Sequence, residues 1–143
     1  MHRSANGAVR VAAILALAAL VASAGACGGS DSTGPSMLVV AGSYDADTFT
    51  TTEGGITTDQ LSEGASAHLV LAEDGTADGR LVVPLEGIDD SLTGRWTLEG
   101  STVQLETPAD VLLRSIPLQV RTNALVGDAT FAGTSVHLVL GKE

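Results

Sequence analysis

Apolar and polar residues alternate in short runs over residues 37–143, and Gly, Asp and Asn separate the runs. A period of two, with β-branched residues inside the runs, is typical of strands that have one buried face. The clearest pair is 68–72 and 78–84 around Asp74–Gly75, because Asp-Gly between apolar runs favours a tight hairpin turn. A second pair, 94–98 and 101–107, flanks Glu99–Gly100 and places Trp96 and Leu98 on one face.

The remaining runs predict further strands. They cover residues 37–44 (continuing through 45–52), 116–121, 125–131 and 134–140, while 58–65 is predicted as a polar loop or a single helical turn. About eight or nine short strands joined by tight turns, without long crossovers, make an antiparallel meander. We therefore predict an all-β, up-and-down barrel of about eight strands, with a two-sheet sandwich as the alternative.

The N-terminal segment follows a different pattern. An alanine-rich apolar run, 11–26, follows Arg3 and Arg10 and ends in Ala-Gly-Ala-Cys at Cys27. This is the layout of a secretory signal, and the tetrapeptide resembles a bacterial lipobox whose cysteine is lipidated. We assign 1–26 to a lipoprotein signal peptide, 27–36 to the lipidated Cys27 with a Gly/Ser/Pro linker, and 37–143 to the barrel domain. An ordinary secretory signal and a retained membrane helix are the alternatives.

Charge and cysteine content limit the classes of binding partner and the cellular location that we expect. The chain has 7 Lys+Arg against 17 Asp+Glu, and the acids all follow Cys27. An acidic domain argues against nucleic-acid binding, and a lone cysteine leaves no disulfide to form. The expected location is the bacterial cell envelope, with the domain attached to a membrane through its lipid. Gly28, rather than Asp, after Cys27 favours the outer membrane where one exists.

Three segments resemble the lipocalin-like domains of small bacterial lipoproteins. They are the strand–Asp-Gly-Thr–strand hairpin at 69–79, the Gly-x-Trp hairpin at 94–105 and the Asn-Ala-Leu-Val-Gly turn at 123–127. The resemblance implies a barrel that holds a small apolar ligand. The alternative is a solid barrel that recognises a protein partner in the envelope, because small barrels can be filled by their own side chains. We expect no enzymatic activity and no cofactor, and no ligand-binding residue is assigned.

Candidate chemistry is sparse. His68 and His137 together suit a metal or a general base, but their apolar neighbours favour outward-facing positions. Asp74, Asp78, Asp89 and Asp90 are predicted in turns, and 74–79 has a faint likeness to a calcium loop that lacks its spacing. We expect turn geometry to explain Asp74–Gly75. Trp96 is expected in the core, or against a ligand if the barrel is hollow. No metal ligand or catalytic residue is assigned.

Overall fold

A computed structural model describes residues 34–108 and 111–143, and most of them form antiparallel strands. A helical turn, α1 (Met37–Val40), precedes the strands, and 3-10 turns occupy Pro84–Glu86 and Leu112–Ser115. The strands are β1 (Gly42–Glu53), β2 (Ile56–Asp59), β3 (Ser66–Leu71), β4 (Thr76–Val83), β5 (Ile88–Ser91), β6 (Gly94–Glu99), β7 (Thr102–Glu106), β8 (Leu118–Arg121), β9 (Ala124–Phe131) and β10 (Thr134–Lys142). The predicted signal peptide, Cys27 and most of the predicted linker lie outside the described residues.

Eight of the strands close into a ring. β1, β3, β4, β6, β7, β8, β9 and β10 pair in that order, and β10 pairs back onto β1 from Tyr44–Lys142 to Thr52–Ser135. β2 and β5 lie outside the ring, paired with β1 and β4. The all-β, up-and-down, eight-stranded barrel is thus confirmed, and the sandwich alternative is wrong.

Alternation along the strands builds the core. On β10, Val136, Leu138 and Leu140 are buried, whereas His137 and Val139 between them are half-buried. β3 repeats the pattern with Leu69 and Leu71. Side chains of alternate strand residues point to opposite faces, so one face of each strand lines the interior. Each fully buried leucine contributes about 1.5–3 kcal/mol relative to an exposed one.

The two ends of the barrel differ. The closed end is defined by α1 and the turns at 72–75, 99–101 and 122–123. There Val40 is buried, the Tyr44 hydroxyl donates to its carbonyl, and Lys142 Nζ donates to the Val39 carbonyl at 2.6 Å. The open end is defined by the turns at 54–55 and 132–133 together with the 3-10 turn Pro84–Glu86. The closed end is therefore covered by α1.

Two predicted elements differ from the structure. Residues 37–40 were predicted as strand but form α1, in which Val39 and Val40 N–H groups both donate to the Ser36 carbonyl. The run Met-Leu-Val-Val has no alternation, so its period distinguishes neither state. The predicted loop at 58–65 begins inside β2, because Gly54 and Gly55, both at positive φ, make a tight turn that folds β2 back onto β1.

We expect Gly79→Ala to lower the free energy of unfolding by about 3 kcal/mol or more. Gly79 lies in β4 at φ +145°, and a Cβ there would lie 2.1 Å from the His68 carbonyl oxygen. The control is Gly100→Ala, at φ +61° with open space around it, which should cost about 1 kcal/mol. Urea denaturation measures both variants. Equal losses would contradict the assigned contact between β3 and β4.

Candidate functional site

Large side chains fill the interior of the barrel. Trp96, Leu69, Leu81, Leu118 and Leu138 are almost completely buried within one hydrophobic core. The Trp96 indole N–H donates to the Ala72 carbonyl at 2.8 Å, which supplies the partner that a buried indole needs. Its predicted core position is confirmed, and its polar atom is already used by the protein.

Clefts lie at both ends of the barrel: one of about 600 Å³ lies at the closed end, between α1 and the turn at 122–123, and two lie at the open end. The larger of these two open-end clefts has a volume of about 410 Å³, and its lining combines apolar side chains with Thr51, Glu53, Glu86 and Thr134. Its larger apolar side chains are Phe49, Val83, Ile88, Leu112, Phe131 and Val136. Phe49, Val83 and Val136 belong to the core, whereas Ile88, Leu112 and Phe131 are only partly covered. We call this space the apolar cleft.

A second cleft, with a larger share of polar residues in its lining, adjoins the first. It has a volume of about 360 Å³ and is lined by Thr51, Glu53, Ile56, Thr58, Gln60, Leu85 and Glu86. Thr51, Glu53 and Glu86 line both spaces, so the two clefts share one boundary. Ile56 and Leu85 are 74% and 58% exposed beside it. We call this second space the polar cleft.

Gln60 is a buried polar residue in the wall of the polar cleft. It is 2% exposed, and its Nε2 donates to Thr51 Oγ1 at 2.7 Å. Its main chain is fixed by bonds from its N–H to the Phe49 carbonyl and from the Ala65 N–H to its own carbonyl. Its Oε1 has no hydrogen-bond partner among the described residues. A buried acceptor of this kind is unfavourable until a donor reaches it.

The two histidines lie on the outer wall, as predicted, and each contacts its own aspartate. His68 Nδ1 lies 2.6 Å from Asp45 Oδ1, and His137 Nδ1 lies 2.6 Å from Asp128 Oδ1. In the strand register His68 is opposite Asp45 of β1, whereas His137 is opposite Thr50. That offset along β1 is about 16 Å. The structure therefore does not bring the histidines together as a joint metal or base site.

A cluster that the sequence did not reveal surrounds His68. The nearest ligand atoms of Asp45, His68 and Glu143 lie within 4.8 Å of one another, an arrangement that offers a metal ion one atom from each. The hydrogen bonds of His68 and Glu143 hold the pKa of Asp45 below its usual value, while the neighbouring Asp45 raises the pKa of Glu143. Glu143 is held beside Asp45 because its N–H donates to the Ser43 carbonyl. Glu143 is far from Asp45 and His68 in the sequence, so the sequence alone did not predict this contact.

The aspartates predicted in turns make hydrogen bonds within the barrel wall and its turns. Asp74 lies in the turn as predicted, and its Oδ1 accepts from the Thr76 N–H and hydroxyl, which lowers its pKa. Asp78, Asp89 and Asp90 were predicted in turns but lie in β4 and β5. Asp78 accepts from Thr93, and Asp89 pairs with Arg80 through two hydrogen bonds. Asp78 pairs with Val70 of β3, whereas Asp89 and Asp90 lie in β5, whose pairing with β4 the sequence did not predict.

We expect His68→Gln to raise the pKa of Asp45 toward its ordinary value, as measured by carboxyl NMR titration. Folding lowers this pKa, so the resulting stability exists above the unfolded pKa of about 3.9 and is lost as pH falls through the folded value. His137→Gln is the control, because its partner is Asp128. An unchanged Asp45 titration in His68→Gln would contradict the assigned pair.

Within the described residues, no helix has both the length and the apolar character needed to cross a membrane. Comparison of the chain with known protein families, with curated proteins and with solved structures finds no match.

Proposed function

We propose that this chain is an exported, lipid-anchored, lipocalin-like protein whose barrel binds a small apolar molecule at its open end. The observation that carries the proposal is the apolar cleft of about 410 Å³. Its volume falls in the range of small-molecule sites, about 300–1,000 Å³. Ile88, Leu112 and Phe131 are only partly covered there, so a ligand seated on them would remove apolar surface from water.

The mouth, rather than the centre of the barrel, is the proposed binding place. Leucines and Trp96 occupy the interior, and a ligand would have to displace them at a cost in packing. The sequence-based expectation of a ligand held inside the barrel is refined in this respect. A binding role also suits the positions of His68 and His137, which lie on the outer wall rather than at the cleft.

The proposed anchor fits the direction in which the chain enters the barrel. Gly34 lies against the carbonyl of Gly100, so residues 34–36 approach at the closed end. Leu38 and Val39 on α1 are 67% and 64% exposed beside them. In the proposal, a lipid on Cys27 holds this end near the envelope membrane, where exposed apolar side chains are favourable. The cleft then opens away from the membrane.

A second candidate is a structural role with a protein partner in the cell envelope. The filled interior favours it, because a solid barrel offers its surface rather than a cavity. Ile56 and Leu85 at the open end are exposed apolar residues of the kind that a protein interface covers. Both candidates use the open end. A test of small-molecule binding there separates them, because only the first candidate requires a bound ligand.

We expect residues 28–143, which contain the whole barrel, to bind the neutral dye N-phenylnaphthylamine with increased fluorescence and to retain copurified apolar molecules in native mass spectrometry. Leu112→Arg should weaken dye binding about tenfold or more, because it puts a charge on the apolar cleft. Val39→Arg, at the closed end, is the matched control. An unliganded mass after incubation with a lipid panel, with no dye binding, would overturn the proposal in favour of a protein partner.

We expect Cys27→Ser to abolish labelling of the chain by an alkyne fatty acid in a bacterial host. The serine hydroxyl cannot replace the thiol in the thioether to diacylglycerol. The protein should also move from the detergent phase to the aqueous phase on Triton X-114 partitioning. Unlabelled wild-type protein released into the medium would contradict the anchor and favour an ordinary secretory signal.

A further inference from the structure

We infer that Asp45, His68 and Glu143 form a binding site for a divalent metal ion of the kind that imidazole binds, such as zinc, on the outer wall of the barrel. The inference goes beyond the proposed function, because these residues line neither cleft at the open end. It depends on three features: the proximity of the ligand atoms, the mixture of imidazole and carboxylate donors, and the lack of competing cations among the described residues.

The strand pairing holds the three side chains on one face of the barrel wall. Asp45 is opposite His68 of β3 on one side and opposite Gly141 of β10 on the other. Glu143 follows Gly141 by two residues, and its N–H donates to the Ser43 carbonyl at 3.0 Å. Alternate residues of a strand share a face, so the carboxylate of Glu143 lies on the same outer face as Asp45 and His68. The main chains of β1, β3 and β10 therefore place the ligand atoms together.

The ligand atoms are close enough to bind one ion. His68 Nδ1 and Asp45 Oδ1 lie 2.6 Å apart, and the ligand atoms of Asp45, His68 and Glu143 all lie within 4.8 Å of one another. Ligand atoms at about 2.0–2.1 Å from a tetrahedral zinc ion are about 3.3–3.4 Å apart. Side-chain movements of about 1 Å therefore reach zinc geometry. The imidazole binds through Nδ1 when its proton is on Nε2.

The donor set selects the kind of ion. Imidazole is a good ligand for zinc, nickel and copper, whereas calcium and magnesium prefer sites made of oxygen atoms. Three protein ligands around a tetrahedral ion leave the fourth position to water. The imidazole of His68 distinguishes this cluster from a purely acidic surface, which attracts cations of every kind. The cluster should therefore prefer zinc to calcium.

No lysine or arginine of the described residues competes for the two carboxylates. Neither Asp45 nor Glu143 forms an ion pair with such a residue in the described part of the chain. Arg80 is opposite His68 in the β3–β4 register, but Asp89 holds its guanidinium through hydrogen bonds of 2.6 and 2.7 Å. The neighbouring Asp45 raises the pKa of Glu143. A bound cation would relieve this repulsion between carboxylates.

The second histidine pair provides an internal comparison. His137 Nδ1 lies 2.6 Å from Asp128 Oδ1, which is the same contact as that between His68 and Asp45. Within the described residues, only the cluster of Asp45, His68 and Glu143 brings three ligand groups of this kind together. The inference therefore assigns the metal ion to His68 and not to His137.

The test measures zinc binding to residues 28–143 at pH 7 by isothermal titration calorimetry and by NMR of the imidazole groups. This chain lacks Cys27, whose thiol would also bind zinc, and is purified without a histidine tag. We expect zinc to bind and to shift the signals of His68 while those of His137 stay unchanged. His68→Gln and Glu143→Gln should each weaken binding about tenfold or more, since each removes one of three ligands. Calcium should bind at least about tenfold more weakly than zinc.

The matched control is His137→Gln, which makes the same change in the pair that has no third ligand and should keep the wild-type affinity for zinc. Saturating zinc should also raise the Tm of the wild type by about 5 °C or more, because the ion joins β1, β3 and the end of β10. Absence of zinc binding to the wild type, an equal loss of affinity in His68→Gln and His137→Gln, or calcium binding as tight as that of zinc would overturn the inference. Each of these results leaves dye binding at the open end, and hence the proposed function, unaffected.

Discussion

The pairing of β1 with β10 is the constraint on which the rest of this structure depends. It joins the first and last strands of the meander and turns a sheet with two free edges into a ring. Closure is long, from Tyr44–Lys142 to Thr52–Ser135, and the register shifts once between Ala46 and Thr48. A bulge of this kind increases local twist and bend, which a strand needs in order to follow a small barrel. Without this pairing, the inward faces of the strands would not enclose a common core.

The same strand explains why the barrel opens at one end. β1 pairs with β3 only over Gly42–Asp45 and then exchanges that neighbour for β2 over Thr50–Glu53. β4 makes a similar exchange from β6 to β5. Two hairpins therefore separate from the ring toward the open end, and residues 60–65 occupy the gap between β2 and β3. Gln60 is buried in that gap because its main chain bridges Phe49 and Ala65.

The regular part of the fold was predictable from the sequence, whereas the site was not. Alternation in β6, β7 and β10 and the Asp74–Gly75 turn depend on neighbouring residues, so a single sequence reveals them. Two adjacent glycines at Gly54–Gly55 are an equally local turn signal, although β2 was not predicted. Gln60 carried none, since it lies in a polar stretch and becomes buried only when distant segments meet. The contact of Asp45 and His68 with Glu143 likewise depends on barrel closure.

In the proposed function, the ligand site lies apart from the packed core of the barrel. An eight-stranded barrel has an interior just wide enough for its own side chains, and here Leu and Trp side chains fill it. A ligand cavity in that interior would remove packing contacts from the core. A cleft at the mouth avoids this cost, because residues such as Leu112 and Phe131 contact the core on one side and remain partly open on the other. The proposed site at the mouth is therefore compatible with an interior that stays packed.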